Sequence, residues 1–589
     1  MLENDTLANI LYIDLSTRRF WAERRRELFE GSIGGTGAAI KLLQEECPTG
    51  CDPLGAGNPI IFAVGPLTAL YPLASKTVAL FKSPLTGDLG ESHCGGRSAL
   101  AIRMAGYGAV VIRGKSELPV YLSIHDGIVD FKDASTLWGM SSSFTVGRVI
   151  REKESGAGVR TIMRIGRAGE KLVSYASVMT ETYRHFGRLG LGAVFGSKKL
   201  KAVVVAGRNT FPVSDFKGYK QLYNEIYEAA VKSPVMKKYH DLGTASNIMP
   251  LNLLGGLPTR NLTLSSFDGA ERISGEGLAE NYLGRRLACA HCPVACIHIA
   301  ALREPYEEEP YFYKTSMISY DYEPIFALGS MLGIGDAEGF LKLMDRIEKW
   351  GMDVMSAGVI LAWATEALKR GVISLDQTGG LELDWGDYQT YMTAVDRIVE
   401  QPNDFYADLA KGSHHAATVY GGGDFALAFG KNEMAGYHTG PAAYIGYSIG
   451  ARHSHLDNAG YSLDQKTLIK EEVPPERVVD SLVEEEQWRQ ILSSLAVCFF
   501  ARGIYTPEIV STALELSGFK LSPEDLKRIG REIYLDKFAF KRREGFSLRE
   551  AHLPGRIFET PAPVKFMNAG YIRAALTYFE GLISNVKKQ

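Results

Sequence analysis

Cys289, Cys292 and Cys296 stand in the run Leu-Ala-Cys-Ala-His-Cys-Pro-Val-Ala-Cys, three thiols within eight residues. The C-x2-C-x3-C spacing lets them converge on one centre, and Cys498, far downstream, is free to supply a fourth ligand. Thiolates are soft ligands suited to zinc, copper(I) or iron–sulfur clusters, and four of them fit a cubane cluster. A cluster would make the chain an electron carrier. Zinc is the main competitor, because His291 and His298 flank the knuckle and offer a Cys3His set. Structural zinc sites usually pair two short knuckles, however, and Cys47 and Cys51 are wider spaced and distant in sequence. Radical enzymes that cleave S-adenosylmethionine use the reverse order of gaps. Ligand type and spacing favour the cluster, with buried structural thiols as the plain alternative.

Residues that must position such a centre come next. Glycine clusters crowd the first third of the chain: Gly34-Gly-Thr-Gly, Gly87 to Gly90, Cys94-Gly95-Gly96-Arg97 and Gly187-Arg188-Leu-Gly190-Leu-Gly192. Each alone is an ordinary turn, and none fits G-x-G-x-x-G between a strand and a helix. Together, interleaved with Lys76, Arg97, Arg184 and Arg188, they suggest backbone nests for a large phosphate-bearing cofactor.

The chain has 589 residues, 46% hydrophobic and 23% charged, enough for several domains with substantial cores. A net charge of −3 gives no argument for nucleic acid or an anionic membrane. No apolar stretch is long enough to span a bilayer. The start lacks a signal-peptide pattern and the seven cysteines are odd in number, which together favour a reducing cytoplasm. Short β-type runs, including Ile60-Ile-Phe-Ala-Val and Lys201-Ala-Val-Val-Val-Ala, fill residues 1–210, with a hairpin expected at Asp126-Gly127. Helical periodicity takes over in 211–420, where Gly335 to Trp350 reads as a capped amphipathic helix, and persists through 421–589. Glu485 to Phe500 also has apolar residues at helical spacing, which would put Cys498 on a buried helical stripe.

Longer blocks resemble the tungsten-containing aldehyde ferredoxin oxidoreductase family. The strongest are Gly187-Arg-Leu-Gly-Leu-Gly-Ala-Val-Phe-Gly-Ser-Lys-Lys-Leu-Lys-Ala and Ile165-Gly-Arg-Ala-Gly-Glu-Lys-Leu-Val. Ala63-Val-Gly-Pro-Leu-Thr, Ser83-Pro-Leu-Thr-Gly, Leu257-Pro-Thr-Arg-Asn and Leu553-Pro-Gly-Arg follow in the family's order. The resemblance implies an α+β fold, with a β-rich pterin-binding domain followed by two mainly α-helical domains. Two pyranopterin dithiolenes would hold one tungsten or molybdenum, with a magnesium ion bridging the pterin phosphates. Cys289, Cys292, Cys296 and Cys498 would bind a [4Fe-4S] cluster.

Further roles follow from the same resemblance. Glu323, in Asp321-Tyr-Glu-Pro-Ile-Phe, looks like the family's active-site glutamate, and burial would raise its pKa into a range useful for proton transfer. His453 and His455 both fall near the family's active-site histidine, with His438 a weaker third. Asp353, with Lys76, Cys94, Gly95, Gly96, Arg97, Arg184, Gly187, Arg188, Gly190 and Gly192, would contact the cofactor. The implied reaction oxidises an aldehyde or other carbonyl substrate, electrons leaving through the cluster to ferredoxin or an iron–sulfur subunit. Homodimers are common in the family. Departures occur at Lys76, where the family has arginine, at Ser493 and Ala496, and around Gly436-Tyr-His-Thr-Gly-Pro. They leave the substrate open. One rival is a reductive member resembling the tungsten subunit of class II benzoyl-coenzyme A reductase; another is a zinc-stapled binding protein without redox activity.

Overall fold

The structure, a computed structural model, describes residues 5–584 apart from positions 155, 157, 182, 212 and 550. Two six-stranded sheets form the N-terminal part. The first runs, in spatial order, Arg19–Arg24, Asn9–Asp14, Ala109–Arg113, Ile60–Ala63, Thr77–Lys82 and Leu89–Cys94. The second runs His185–Phe186, Val178–Met179, Val159–Ile165, Leu200–Gly207, Val120–His125 and Ile128–Asp133. Each is antiparallel except for one pair, Asn9–Asp14 on Ala109–Arg113 and Leu200–Gly207 on Val120–His125. Ile60–Ala63 and Leu200–Gly207 are buried along their whole length, which is why they read as unbroken apolar runs. Asp126 and Gly127 take φ of 48° and 78° and pair His125 with Ile128, the tight primed turn their types predict.

Helices dominate beyond Phe216. Asp336 caps the helix Ala337–Trp350 through the amides of Glu338 and Gly339, and Phe340, Leu343, Met344 and Ile347 line its buried side. The expected helical character of 211–420 is interrupted once. Leu283–Leu287, Ile297–Pro305 and Tyr313–Tyr320 make a three-stranded antiparallel sheet directly around the cysteine knuckle. Ile297-His-Ile-Ala-Ala-Leu is too short an apolar run to choose helix or strand by periodicity; cross-strand pairing with Tyr313–Tyr320 decides it. A single apolar core extends from Leu7 to Ile583. A small satellite cluster seats the helix Ser143–Lys153 on the second sheet through Val146 and Ile150. Among the described residues, no helix is long and apolar enough to cross a membrane.

Two expectations change here. The helix Pro475–Ser494 stops at Ser494, and Ala496 takes a left-handed φ of 61°, so Cys498 lies on the turn beyond the helix rather than on its stripe. The Gly34–Gly37 cluster is a docking device, not a phosphate nest. A Cβ on Gly35 would lie 2.3 Å from the Ser493 carbonyl oxygen, and one on Gly65 would lie 2.4 Å from the Leu495 carbonyl carbon. The Gly37 amide donates to Ser494 Oγ at 3.2 Å. Glycine at these points lets the turn that carries Cys498 lie directly against the β-rich domain.

Candidate cluster site and active site

Backbone hydrogen bonds bring the four thiols of the knuckle and Cys498 together. The Leu73 amide donates to the His291 carbonyl at 3.0 Å, and the Cys498 amide donates to the Leu73 carbonyl at 2.9 Å. One loop residue thus ties the knuckle to the distant cysteine. The Lys76 amide donates to Ala496 and the Ala290 amide to Gly96, closing the ring of loops. The Gly96 amide also donates to the Cys289 sulfur. Gly95 has to be glycine, since a Cβ there would fall 2.8 Å from Cys289 Sγ and 3.3 Å from Lys76 Nζ.

Two cations face these sulfurs. Arg184 Nη2 lies 3.7 Å from Cys296 Sγ. Burial alone would push Lys76 and Arg184 down, but the neighbouring thiols outweigh it and hold both above their ordinary values. Cys289 shows the reciprocal effect: burial raises it, yet Arg184 and Lys76 bring it below the usual thiol range. Burial pushes Cys292 up to about 12 and Cys296 up to about 11. Among the described residues, no three His, Cys, Asp or Glu side chains are grouped as a site for one metal ion. Tetrahedral zinc would draw its sulfurs to roughly 3.8 Å from one another. His298 is committed elsewhere, its Nδ1 and Nε2 facing the carbonyls of Cys296 and His240 at 3.2 and 3.0 Å. Four soft thiol donors with Lys76 and Arg184 nearby are a donor set that would suit an anionic iron–sulfur cluster.

Glu323 lies in the first turn of the short helix Tyr322–Leu328, and the Gly436 amide donates to its Oε2 at 3.3 Å. Burial dominates nonetheless and pushes the carboxyl up to about 8. His455 Nε2 lies 3.2 Å from Glu323 Oε1. Burial, reinforced by Arg188, brings His455 down to about 3, so at neutral pH the imidazole is uncharged beside a largely protonated carboxyl. The Nε2···Oε1 distance is within hydrogen-bond reach, but the alignment leaves Glu323 Oε1 and His455 Nδ1 without a satisfied bond. Each such buried atom costs about 1–3 kcal/mol, a cost expected at a site built to receive polar atoms of a bound molecule. Tyr437 stacks on Tyr461 at 4.1 Å between centroids and lies 5.3 Å from the His455 ring, giving the pair an aromatic wall.

The structure separates the two histidines that spacing could not. His453 Nδ1 faces the Tyr447 carbonyl at 2.9 Å, so that nitrogen carries the proton. Its Nε2 then accepts from Lys541 Nζ at 3.0 Å, and Lys541 in turn pairs with Asp88. Both nitrogens are spoken for, and burial keeps the ring neutral with a pKa of about 4. His438 is likewise committed, to the Tyr444 hydroxyl and the Thr560 carbonyl. Of the three histidines, the structure brings only His455 to Glu323.

The remaining expected residues divide. Arg188 donates to Asp353 at 3.1 Å and to the Glu433 carbonyl at 2.7 Å, while its Nη1 is buried without a partner. A Cβ on Gly187 would meet nothing within 4 Å, leaving room beside these donors, whereas Gly190 and Gly192 pack against the Ser174 and Ser177 carbonyls. A free guanidinium nitrogen next to an open glycine suits an anionic cofactor group. Cys94 is fully buried, burial pushes its thiol up to about 12, and its Sγ faces the Gly95 carbonyl at 3.1 Å and the Thr180 hydroxyl at 3.8 Å. The Arg97 side chain is exposed and lines an outer groove. The sequence reading missed Gly436, Tyr437 and Glu433. Their only signal was that Gly436 and Tyr437 sit where the chain departs from the resembling family.

Asp353 has a double task. It caps the helix Val354–Lys369 through the amides of Met355 and Ser356 and also holds Arg188. Asp353→Asn should keep most of the cap and lose the charge pair, costing about 1–3 kcal/mol. Asp353→Ala should cost about 1 kcal/mol more as the cap is lost. Unfolding of the two variants in urea, compared at the midpoint, checks the order.

Comparison with known proteins gives the family. Residues 10–207 match the description "Aldehyde ferredoxin oxidoreductase, N-terminal domain", and residues 221–580 match "Aldehyde ferredoxin oxidoreductase, domains 2 & 3". A tungsten-containing aldehyde ferredoxin oxidoreductase of Thermococcus kodakarensis is 32% identical, over 94% of this chain and 91% of its own. One from Pyrococcus furiosus is 31% identical, over 94% and 91%. A solved chain of the active-site complex of benzoyl coenzyme A reductase with 1,5-dienoyl-CoA superposes with a TM-score of 0.80 at 22% identity, covering 98% of this chain and 94% of that one. The non-redox, zinc-stapled reading falls with these matches. The chain belongs to the aldehyde ferredoxin oxidoreductase family and is an oxidoreductase.

Proposed function

We propose that the chain is a tungsten–bispyranopterin enzyme that oxidises an aldehyde to a carboxylic acid and delivers electrons through a [4Fe-4S] cluster to ferredoxin or a similar carrier. The carrying observation is the buried Glu323–His455 pair, with two unsatisfied polar atoms, in a chain where Cys289, Cys296 and the distant Cys498 share one pair of cations. Bound tungsten bis-pterin supplies two-electron redox and oxygen-transfer chemistry. Arg188 and the open backbone at Gly187 would hold anionic parts of that group, and Lys76 and Arg184 would balance the negative charge of the cluster. Cys289, Cys292, Cys296 and Cys498 would bind the cluster.

The chain's own part in the reaction is proton handling. Oxidising R–CHO and water to R–COOH releases two protons and two electrons. Glu323, once ionised, accepts a proton from the oxygen that adds to the carbonyl carbon, and the neutral His455, with Nε2 3.2 Å from Glu323 Oε1, orients that carboxyl. The Tyr437–Tyr461 wall keeps bulk water from this pair and lends it a low dielectric. Metal analysis of anaerobically purified protein, followed by an aldehyde panel with a dye acceptor, tests the reading. About one tungsten and four irons per chain with aldehyde-dependent dye reduction is expected; metallated protein inert to every aldehyde would sink it. The second reading, reduction of an acyl-coenzyme A, draws support from the backbone likeness to the benzoyl coenzyme A reductase complex and from the departures at Lys76, Ser493 and Ala496. Turnover of aromatic acyl-coenzyme A with a low-potential donor, and none of aldehydes, would favour it.

A further inference from the structure

The helix Ser143–Lys153 buries Val146 and Ile150 against the second sheet and turns Arg148 and Arg151 outward, three residues apart on one exposed side. Arg151, Ile162 and Glu181 line two adjoining grooves. One also takes in Arg148 and Tyr183; the other, about 560 Å³, takes in Arg97, Arg160 and Ala290. Ala290 follows Cys289, and Arg97 follows Gly96, whose amide donates to the Cys289 sulfur. The groove floor is thus one residue from a thiol of the candidate cluster.

Arg97, Arg148 and Arg151 have no carboxylate within ion-pair distance among the described residues, and Glu181 is the one acidic side chain lining either groove. The chain as a whole carries 68 acidic against 65 basic residues, so this patch is a local excess and not the spill-over of a basic protein. Exposed arginines without a carboxylate partner suit a surface that receives negative charge.

We infer that this arginine-lined groove beside Cys289 is the docking surface for an acidic one-electron carrier protein of the iron–sulfur class. The inference rests on the cluster reading above. Carrier charge meets Arg148 and Arg151 at the rim, and the carrier's own centre comes to rest over Ala290, one residue along the chain from Cys289. Such a rim acts mainly on association rate and salt dependence.

The test uses the metallated holoenzyme and its Arg148→Glu/Arg151→Glu variant with two acceptors, a purified acidic ferredoxin and a cationic viologen. The variant should lose about tenfold or more in kcat/KM for ferredoxin at low ionic strength and lose its salt dependence, while viologen reduction is unchanged. Arg148→Gln/Arg151→Gln should fall between. Unchanged ferredoxin kcat/KM in the variant overturns the docking surface, as does an equal loss with both acceptors. A wild-type ferredoxin rate that is indifferent to salt overturns it without any variant. Metallated wild type that reduces neither acceptor is a different failure: it removes the redox reading itself, and the docking surface with it.

Discussion

Glu323→Gln should lower kcat by roughly 10²–10⁴-fold while leaving iron and tungsten content unchanged. The amide keeps the size of the carboxyl and can still accept from the Gly436 amide, but it cannot take up a proton. Its partner His455, brought down to about 3, is too weak a base to replace it. The wild-type pH profile carries the same argument. With its carboxyl pushed up to about 8, Glu323 holds a proton below that value and cannot accept another. A base is therefore switched on as pH rises, so kcat/KM should climb by about tenfold per unit below 8 and level off above it. His455 stays neutral throughout and adds no second limb. A profile that falls with rising pH would assign Glu323 the acid's role instead. His453→Gln is the contrast: its ring is tied to Tyr447 and Lys541, so loss there should appear as lowered stability with kcat little changed.

Cys292→Ser should remove the cluster and with it carrier-linked turnover, because a serine hydroxyl is a hard, weakly acidic ligand in place of a soft thiolate. Iron per chain should fall towards zero and the reducible visible absorption should vanish. Lys76 and Arg184 sharpen the expectation. Both are held charged beside these sulfurs, so a site emptied of its anionic centre leaves two half-buried cations that repel each other without compensation. The variant should therefore also unfold at lower temperature than the holoenzyme. Cys51→Ser, on a half-buried thiol 3.4 Å from Cys47 and away from the knuckle, is the control and should retain full iron. Iron retained in Cys292→Ser would exclude that residue as a ligand.

Much of the fold was legible because the signals were local. Buried strands such as Ile60–Ala63 and Leu200–Gly207 showed as apolar runs, the Asp126-Gly127 turn as a dipeptide, and the helix Ala337–Trp350 as a cap plus period. The break of helix at Ser494 was not legible, because the apolar spacing continues past it to Phe499. What stops the helix is close docking on Gly35 and Gly65, contacts more than four hundred residues away along the chain. The Gly34–Gly37 cluster misled for the same reason: a glycine states that something comes close, not whether it is a phosphate or another stretch of backbone.

The sequence alone determined the donor chemistry and the family. Thiol type and spacing in the knuckle, and long matching blocks such as Gly187 to Ala202, depend only on residue order. The tertiary structure decided which groups work together. His453 and His455 are two residues apart and chemically identical, yet one is held between a carbonyl and an ammonium and the other faces Glu323. The Glu323 pKa likewise belongs to the fold, since burial raises it, and burial is a sum over side chains from remote segments. Side-chain identity is written in the chain; the partners that satisfy, charge or strand each polar atom exist only once distant segments have packed.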